Sequence, residues 1–310
     1  MFALAAAQYS YNSEASFALT FSCREKPLFL STILKACKSH ADTSCQQGAC
    51  GEAAGMVGLA STPKEVIMLV LRALPPGNGL PSQSPFVLKV MGYLHVLDLE
   101  WQIDTHADIR KQPAGKLPVL VDGDTVIPDS DAIARYVQDK AGRWLDDGLS
   151  VRDALLSHAM IRMAEEHLYF LAVWNRWAVD ENFALLRPGL EKIAPFPMSK
   201  ILPNIIRKGV VKMVAGQGIG RMSDAQRLQR FQADLDVIEQ VLGDKDWLFD
   251  GTGPRCADLS IAPLIAVLNG SPADTALRRD LLARPRLLAY GERAMAQAFP
   301  AVDALPYPPR

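Results

Sequence analysis

Three short stretches combine polar groups with chain punctuation in a way that could serve chemistry: Ser84-Pro85, Leu117-Pro118 and Asp129-Ser130. Ser84 and Ser130 each stand where a helix is expected to begin. A helix N-terminus carries partial positive charge and free amides, so a hydroxyl there can donate to an anion, and the amides at Ser130 can receive a carboxylate. Asp and Ser also favour such positions as simple caps, and Pro85 suits a first turn, so both serines have a purely structural account as well. Pro118 heads a strand, where it removes a ladder donor and so must have a use.

The elements that must position these residues are legible from hydrophobic period. "EVIMLVLRAL" reads as a buried strand, closed by the loop "PPGNGLPSQ". "SPFVLKVMGYLHVL" places Phe86, Val90, Leu94 and Leu97 near one helical face. "LEWQI" alternates as a half-buried strand, and "PVLV", the Asp122-Gly123 turn and "TVI" make a hairpin. "SDAIARYVQDKAG" closes the unit as a helix with Ile133 and Val137 inward and Gly142 as its stop. The order is βαβ, a connector, then ββα.

Beyond it the patterns are helical. Ser150 and Asp153 sit at capping-box spacing before "VRDALLSHAMIRMAEEHLYFLAVWNRWAV", and Ser223 caps a helix that Gly243 ends. "ADLSIAPLIAVL", "PADTALRRDLLA" and "PRLLAYGERAMAQAF" follow as helices. The fold class is therefore α/β plus all-α. We expect an extension of low periodicity over 1–63, poorly ordered, an α/β domain over 64–143, and an all-helical domain over 150–302.

Several function classes lack support. With 310 residues, 22% charged residues and a formal net charge of -1, there is no basic footprint for nucleic acid. No run of 18 apolar residues could span a bilayer, and "MFALAAAQYSYNSEASFALTF" lacks the basic start of a secretory signal, so a cytoplasmic protein is expected. Cys23, Cys37, Cys45, Cys50 and Cys256 form no C-x-x-C pair and the histidines have no ligand spacing, so no metal is expected. "GQGIG" follows a helix rather than a strand, which disfavours a dinucleotide loop. Arg162, Glu165 and Glu166 read as a solvated helix face rather than a cleft lining. Tyr169, Trp174 and Trp177 suit core packing and a hydrophobic site equally. From Lys192 to Arg221 six basic and no acidic residues are interleaved with "ILPNII" and "VVKMV", a pattern that suits an anionic membrane surface. Pro195, Pro197 and Pro203 argue instead for a solvated loop.

βαβ followed by ββα, with Leu-Pro at the third strand and helices behind, resembles the thioredoxin-like domain and helical domain of the glutathione transferases. "GLPSQSPFVLKVMGYL", "GKLPVLVDGDTVIPDSDAI", "EEHLYFLAVWNRW" and "GQGIGRMS" together look like the branch of the failed-axon-connections proteins, their bacterial relatives and the metaxins, over about Glu65 to Val302. The resemblance implies a cis bond before Pro118, with the Leu117 backbone pairing the cysteinyl moiety of glutathione. It implies that Asp129 and Ser130 hold the γ-glutamyl group, and that Ser84 donates to the thiolate. No cofactor follows from it, glutathione being a substrate. Its partners would be glutathione and a small hydrophobic electrophile; the alternative is a non-catalytic, metaxin-like interaction or membrane-associated module. A homodimer and a peripheral membrane contact through 192–221 are compatible with either. Two departures stand out: Arg255 replaces the usual Ser or Thr cap before "CAD", where Asp258 can still supply the carboxylate half of the cap and a stability cost rather than a lost fold is expected, and no Tyr ends the first strand.

Overall fold

The computed structural model describes residues 68–192, 194–271 and 273–308, all within one compact unit. The expectation for residues 1–63, with four of the five cysteines, lies outside the described residues.

Four strands, β1 (Leu69–Arg72), β2 (Trp101–Asp104), β3 (Val119–Asp122) and β4 (Thr125–Pro128), form one sheet in the order β2-β1-β3-β4. β1 and β2 are parallel, with Leu69 opposite Trp101, because helix α1 (Pro85–Val96) carries the chain back between them. β3 runs antiparallel to β1, and β4 returns along β3 after a tight turn in which Gly123 takes φ 58°. α2 (Ser130–Ala141) then packs against α1 and stops at Gly142, whose left-handed φ of 62° suits glycine.

The helical domain opens with α3 (Val151–Met163), whose cap Ser150 accepts from the Asp153 amide at 3.1 Å. A π-helical turn over Ala164–Leu168 joins α3 to α4 (Tyr169–Trp177) without breaking the rod. α5 (Asp180–Glu191), α6 (Met198–Gln217) and α7 (Asp224–Leu242) follow, the last opened by the Ser223–Gln226 capping box. α8 (Cys256–Asn269), α9 (Ala276–Leu282) and α10 (Pro285–Ala298) complete the described residues apart from short turns. α8 is buried almost all round and packs against α1, α3 and α10, so one hydrophobic core spans sheet and helices. Contact between α1 and α8 is close: a Cβ on Gly92 would meet the Phe299 ring at 2.6 Å and Leu259 at 3.1 Å.

One expectation is corrected. The basic segment is not a solvated loop: α6 is a 20-residue helix through Pro203. Pro195 and Pro197 precede the helix, where a missing N–H costs nothing, and Pro203 removes a single ladder bond near its start. The missing Ser or Thr cap of α8 is replaced at long range. Asp146 accepts from the Cys256 amide at 2.9 Å, while Asp258 accepts from the Arg255 amide at 2.8 Å and from the Tyr290 hydroxyl at 2.8 Å.

Candidate functional site

The site residues gather at one end of the sheet because of register. Val119 lies opposite both Arg72, the last residue of β1, and Pro128, the last of β4. Leu117-Pro118, just before Val119, and Asp129-Ser130, just after Pro128, are therefore neighbours across the β3–β4 ladder. Ser84 enters α1 from the loop that leaves β1 at this same end.

The Leu117-Pro118 peptide is cis, with Pro118 buried and Leu117 half-buried. Ser84 caps α1: its hydroxyl accepts from the Val87 amide over a long 3.4 Å, and its own amide donates to the Oγ of the fully buried Ser82 at 3.2 Å. Among the described residues the Ser84 hydroxyl donates to no acceptor. Asp129 holds φ 74°, a left-handed value that costs a non-glycine residue about 1–3 kcal/mol and persists only where surroundings enforce it. In that conformation its Oδ1 accepts from the Asp131 and Ala132 amides at 2.9 and 3.2 Å, while Oδ2 has no partner among the described residues. This changes the expectation for Ser130. Two of the helix-start amides are already taken by Asp129, so a carboxylate there would use the Ser130 amide and hydroxyl.

Beneath these residues lies a polar cluster that the sequence pattern does not foretell. Lys89, 1% exposed on α1, places its Nζ 2.6 Å from Oε1 of Glu165 and 3.8 Å from Oδ1 of Asp131. Glu165 also accepts from the Ser260 hydroxyl at 3.0 Å and from Arg162 at 3.0 Å. Arg162 reaches Asp131 at 3.4 Å, and Arg135 reaches it at 2.8 Å. Burial alone would raise the Asp131 carboxyl, but Lys89, Arg135 and Arg162 together hold it below the ordinary range. Glu165 is thus a buried ion-pair partner rather than a member of a solvated face. Glu165 lies in the π turn, four residues after the buried Ile161 and eight after the buried Ser157, so it continues the inward stripe of α3. The signal available in the sequence is the lone lysine within "PFVLKVMGYL", since a charge in an all-apolar helix needs a partner.

The aromatic residues divide. Tyr169 packs edge-on to Phe86 at 4.6 Å and lines a narrow cleft with Pro85, Lys89, Glu165 and Ser260; burial raises its hydroxyl's pKa. Trp177 packs near Phe183 in the helical domain. Trp174 has the Arg227 guanidinium 4.0 Å over its ring and lines a cavity of about 340 Å³ with Asn204, Arg207, Lys208 and Val211. Arg176 donates to the Gln83 carbonyl at 3.0 Å and so braces the loop before Ser84; burial depresses its pKa. His167 pairs with Asp234 at 2.6 Å, and no metal-ligand cluster occurs among the described residues. Cys256 is buried, its thiol pushed up to about 12 chiefly by that burial, and is inert.

Comparison with known proteins fits this arrangement. A family described as "Outer mitochondrial membrane transport complex protein" (Tom37) matches residues 88–207. Failed axon connections of Drosophila melanogaster is 26% identical over 242 residues, 73% of this chain and 57% of that protein. The beta-etherase LigF of Sphingobium sp. strain SYK-6 shares the fold, with a TM-score of 0.53 at 16% identity over 76% of this chain and 97% of that one. An isoprene-epoxide–glutathione S-transferase of Rhodococcus sp. (strain AD45) is 30% identical over 237 residues, 74% of this chain and 99% of the relative. With the thioredoxin-like sheet, the helices behind it and that match along a relative's whole length, the chain belongs to the glutathione S-transferase family.

Proposed function

We propose that the chain binds glutathione at the sheet end and conjugates its sulfur to a small hydrophobic electrophile. The observation that carries this reading is the convergence of Ser84, Leu117-Pro118 and Asp129-Ser130 at one end of β1. The free Oδ2 of Asp129 suits the α-ammonium of the γ-glutamyl group, and the Ser130 amide and hydroxyl suit its carboxylate. The Leu117 backbone pairs the cysteinyl unit. The Ser84 hydroxyl, at the positive end of α1, donates to the sulfur and lowers its pKa. The thiol proton passes to water, the thiolate forms the S–C bond, and the electrons of the broken bond leave with the electrophile's departing group. No cofactor takes part. Acting as a homodimer in the cytoplasm belongs to the same reading, supported by the exposed Val151 and Leu155 on α3; among the described residues no helix is long and apolar enough to cross a membrane.

Ultraviolet titration of bound glutathione tests it. Ser130→Ala should weaken binding with the bound thiol's pKa unchanged, whereas Ser84→Ala should leave binding nearly intact and raise that pKa. Loss of one hydrogen bond to a charged group is worth about 1.5–3 kcal/mol, or one to two pKa units. Absence of saturable glutathione binding at millimolar concentration would replace the transferase reading with a metaxin-like interaction module, which the Tom37 match over 88–207 favours.

A further inference from the structure

The outer face of α6 is unlike that of an ordinary surface helix. Its inward side is set by Pro203, Ile206 and Val214, all buried. Opposite them, at the spacing of one helical stripe, stand Met198, Ile201, Ile205 and Lys212, with the exposed Lys208 at its edge beside the Trp174 cavity, and Phe196 projects just before the first turn. Phe196 is 82% exposed, Met198 45%, Ile201 49% and Ile205 40%, so four bulky apolar side chains in succession face water where polar residues are expected. The charge on this segment has one sign. Lys200 is paired with Glu191 at 2.7 Å and Arg207 with Asp180 at 2.6 Å, but Lys208 and Lys212, both exposed, have no carboxylate partner among the described residues.

We propose that this face of α6 rests on an anionic lipid surface, with Phe196, Met198, Ile201 and Ile205 entering the headgroup boundary and Lys208 and Lys212 meeting lipid phosphates and carboxylates. Charge complementarity selects the occupant: a protein surface or second copy would satisfy the apolar half, whereas a stripe that runs on into unpaired lysines, with no acid from Lys192 to Arg221, matches an extended negative plane. The helix lies on the bilayer and does not span it, as its lysines and its short apolar stripe require.

Flotation of the full chain with vesicles is the test, comparing phosphatidylcholine alone with a mixture containing about one third phosphatidylserine. Binding should be confined to the anionic vesicles and should weaken with added salt. Each lysine contributes about five-fold to partitioning, so Lys208→Gln/Lys212→Gln should lower it roughly thirty-fold. Ile201→Asp/Ile205→Asp should abolish it, and all four substitutions lie on exposed positions where the folded state, monitored by circular dichroism, is retained. Equal binding to neutral and anionic vesicles, binding to neither, or binding indifferent to the lysine pair overturns the proposal. Self-association that Ile201→Asp/Ile205→Asp suppresses, without vesicle binding, overturns it in favour of a second copy.

Discussion

Glu165→Gln keeps the shape of the side chain and removes the charge that holds the Lys89 ammonium inside the protein. In the native structure Lys89 has two anions in reach, Glu165 at 2.6 Å and Asp131 at 3.8 Å. Removing one partner of a buried pair costs about 3–5 kcal/mol, because the remaining charge is left uncompensated. Asp131 stays nearby, so the low end, about 3 kcal/mol, is expected. For a folded unit of this size each kcal/mol moves the thermal midpoint by about 2–4 °C, giving a fall of roughly 6–12 °C. Calorimetry at neutral pH reads this directly. Because the pair is buried, the loss should hardly change between low and moderate salt, in contrast to a surface pair such as Lys200–Glu191. Lys89→Met/Glu165→Leu should recover most of the loss, since apolar residues of similar volume often replace a buried pair without cost. A Glu165→Gln midpoint within about 2 °C of wild type would refute the reasoning, as would a double variant worse than the single one.

Two further outcomes concern α8 and its contacts. Burial raises the Asp258 carboxyl to about 6, above its ordinary value near 3.9, so the folded state binds more protons between those values. Its contribution to stability is full below about pH 4 and is lost as the pH rises through about 6. Asp258→Asn should remove a decline of about 3 kcal/mol over that window, read as the difference in urea-unfolding free energy between wild type and variant at each pH; identical pH profiles would contradict it. Gly92→Ala should destabilise by about 1–3 kcal/mol, because its Cβ would collide with Phe299 at 2.6 Å; an unchanged urea midpoint would show that the ring swings aside freely.

What can be read in the sequence is what the chain decides locally. The Ser150–Asp153 and Ser223–Gln226 caps, the Gly142 stop and the hairpin at Gly123 all satisfy backbone groups within a few residues, so their signals are self-contained. Ser84, Leu117, Pro118, Asp129 and Ser130 are recognisable because each sits at such a signal. α6 is misjudged when its prolines are counted rather than placed: the penalty depends on whether the N–H that proline lacks had a partner. The Asp146 cap is invisible because donor and acceptor are 110 residues apart. Glu165 is misjudged because a carboxylate on a helix reads as solvated, although it stands four residues after the buried Ile161 and eight after the buried Ser157, on the inward stripe of the rod.

The residues that the sequence leaves hidden are those that hold the recognised ones in place. Ser84 begins α1, and a turn further along the same helix Lys89 ties α1 to Glu165 and Ser260 of the helical domain. Ser130 begins α2, and α2 is tied to the same place through Asp131 to Arg162. The loop before Ser84 is braced by Arg176 from α4. Both helix N-termini of the proposed site are therefore tied to charged side chains of the rod α3–π turn–α4. The sheet gives the site its backbone, and two ion pairs, Lys89–Glu165 and Asp131–Arg162, link the two helix starts to one place on the rod. A substitution on that rod reaches the site through the ion pairs, with no contact to any ligand of its own.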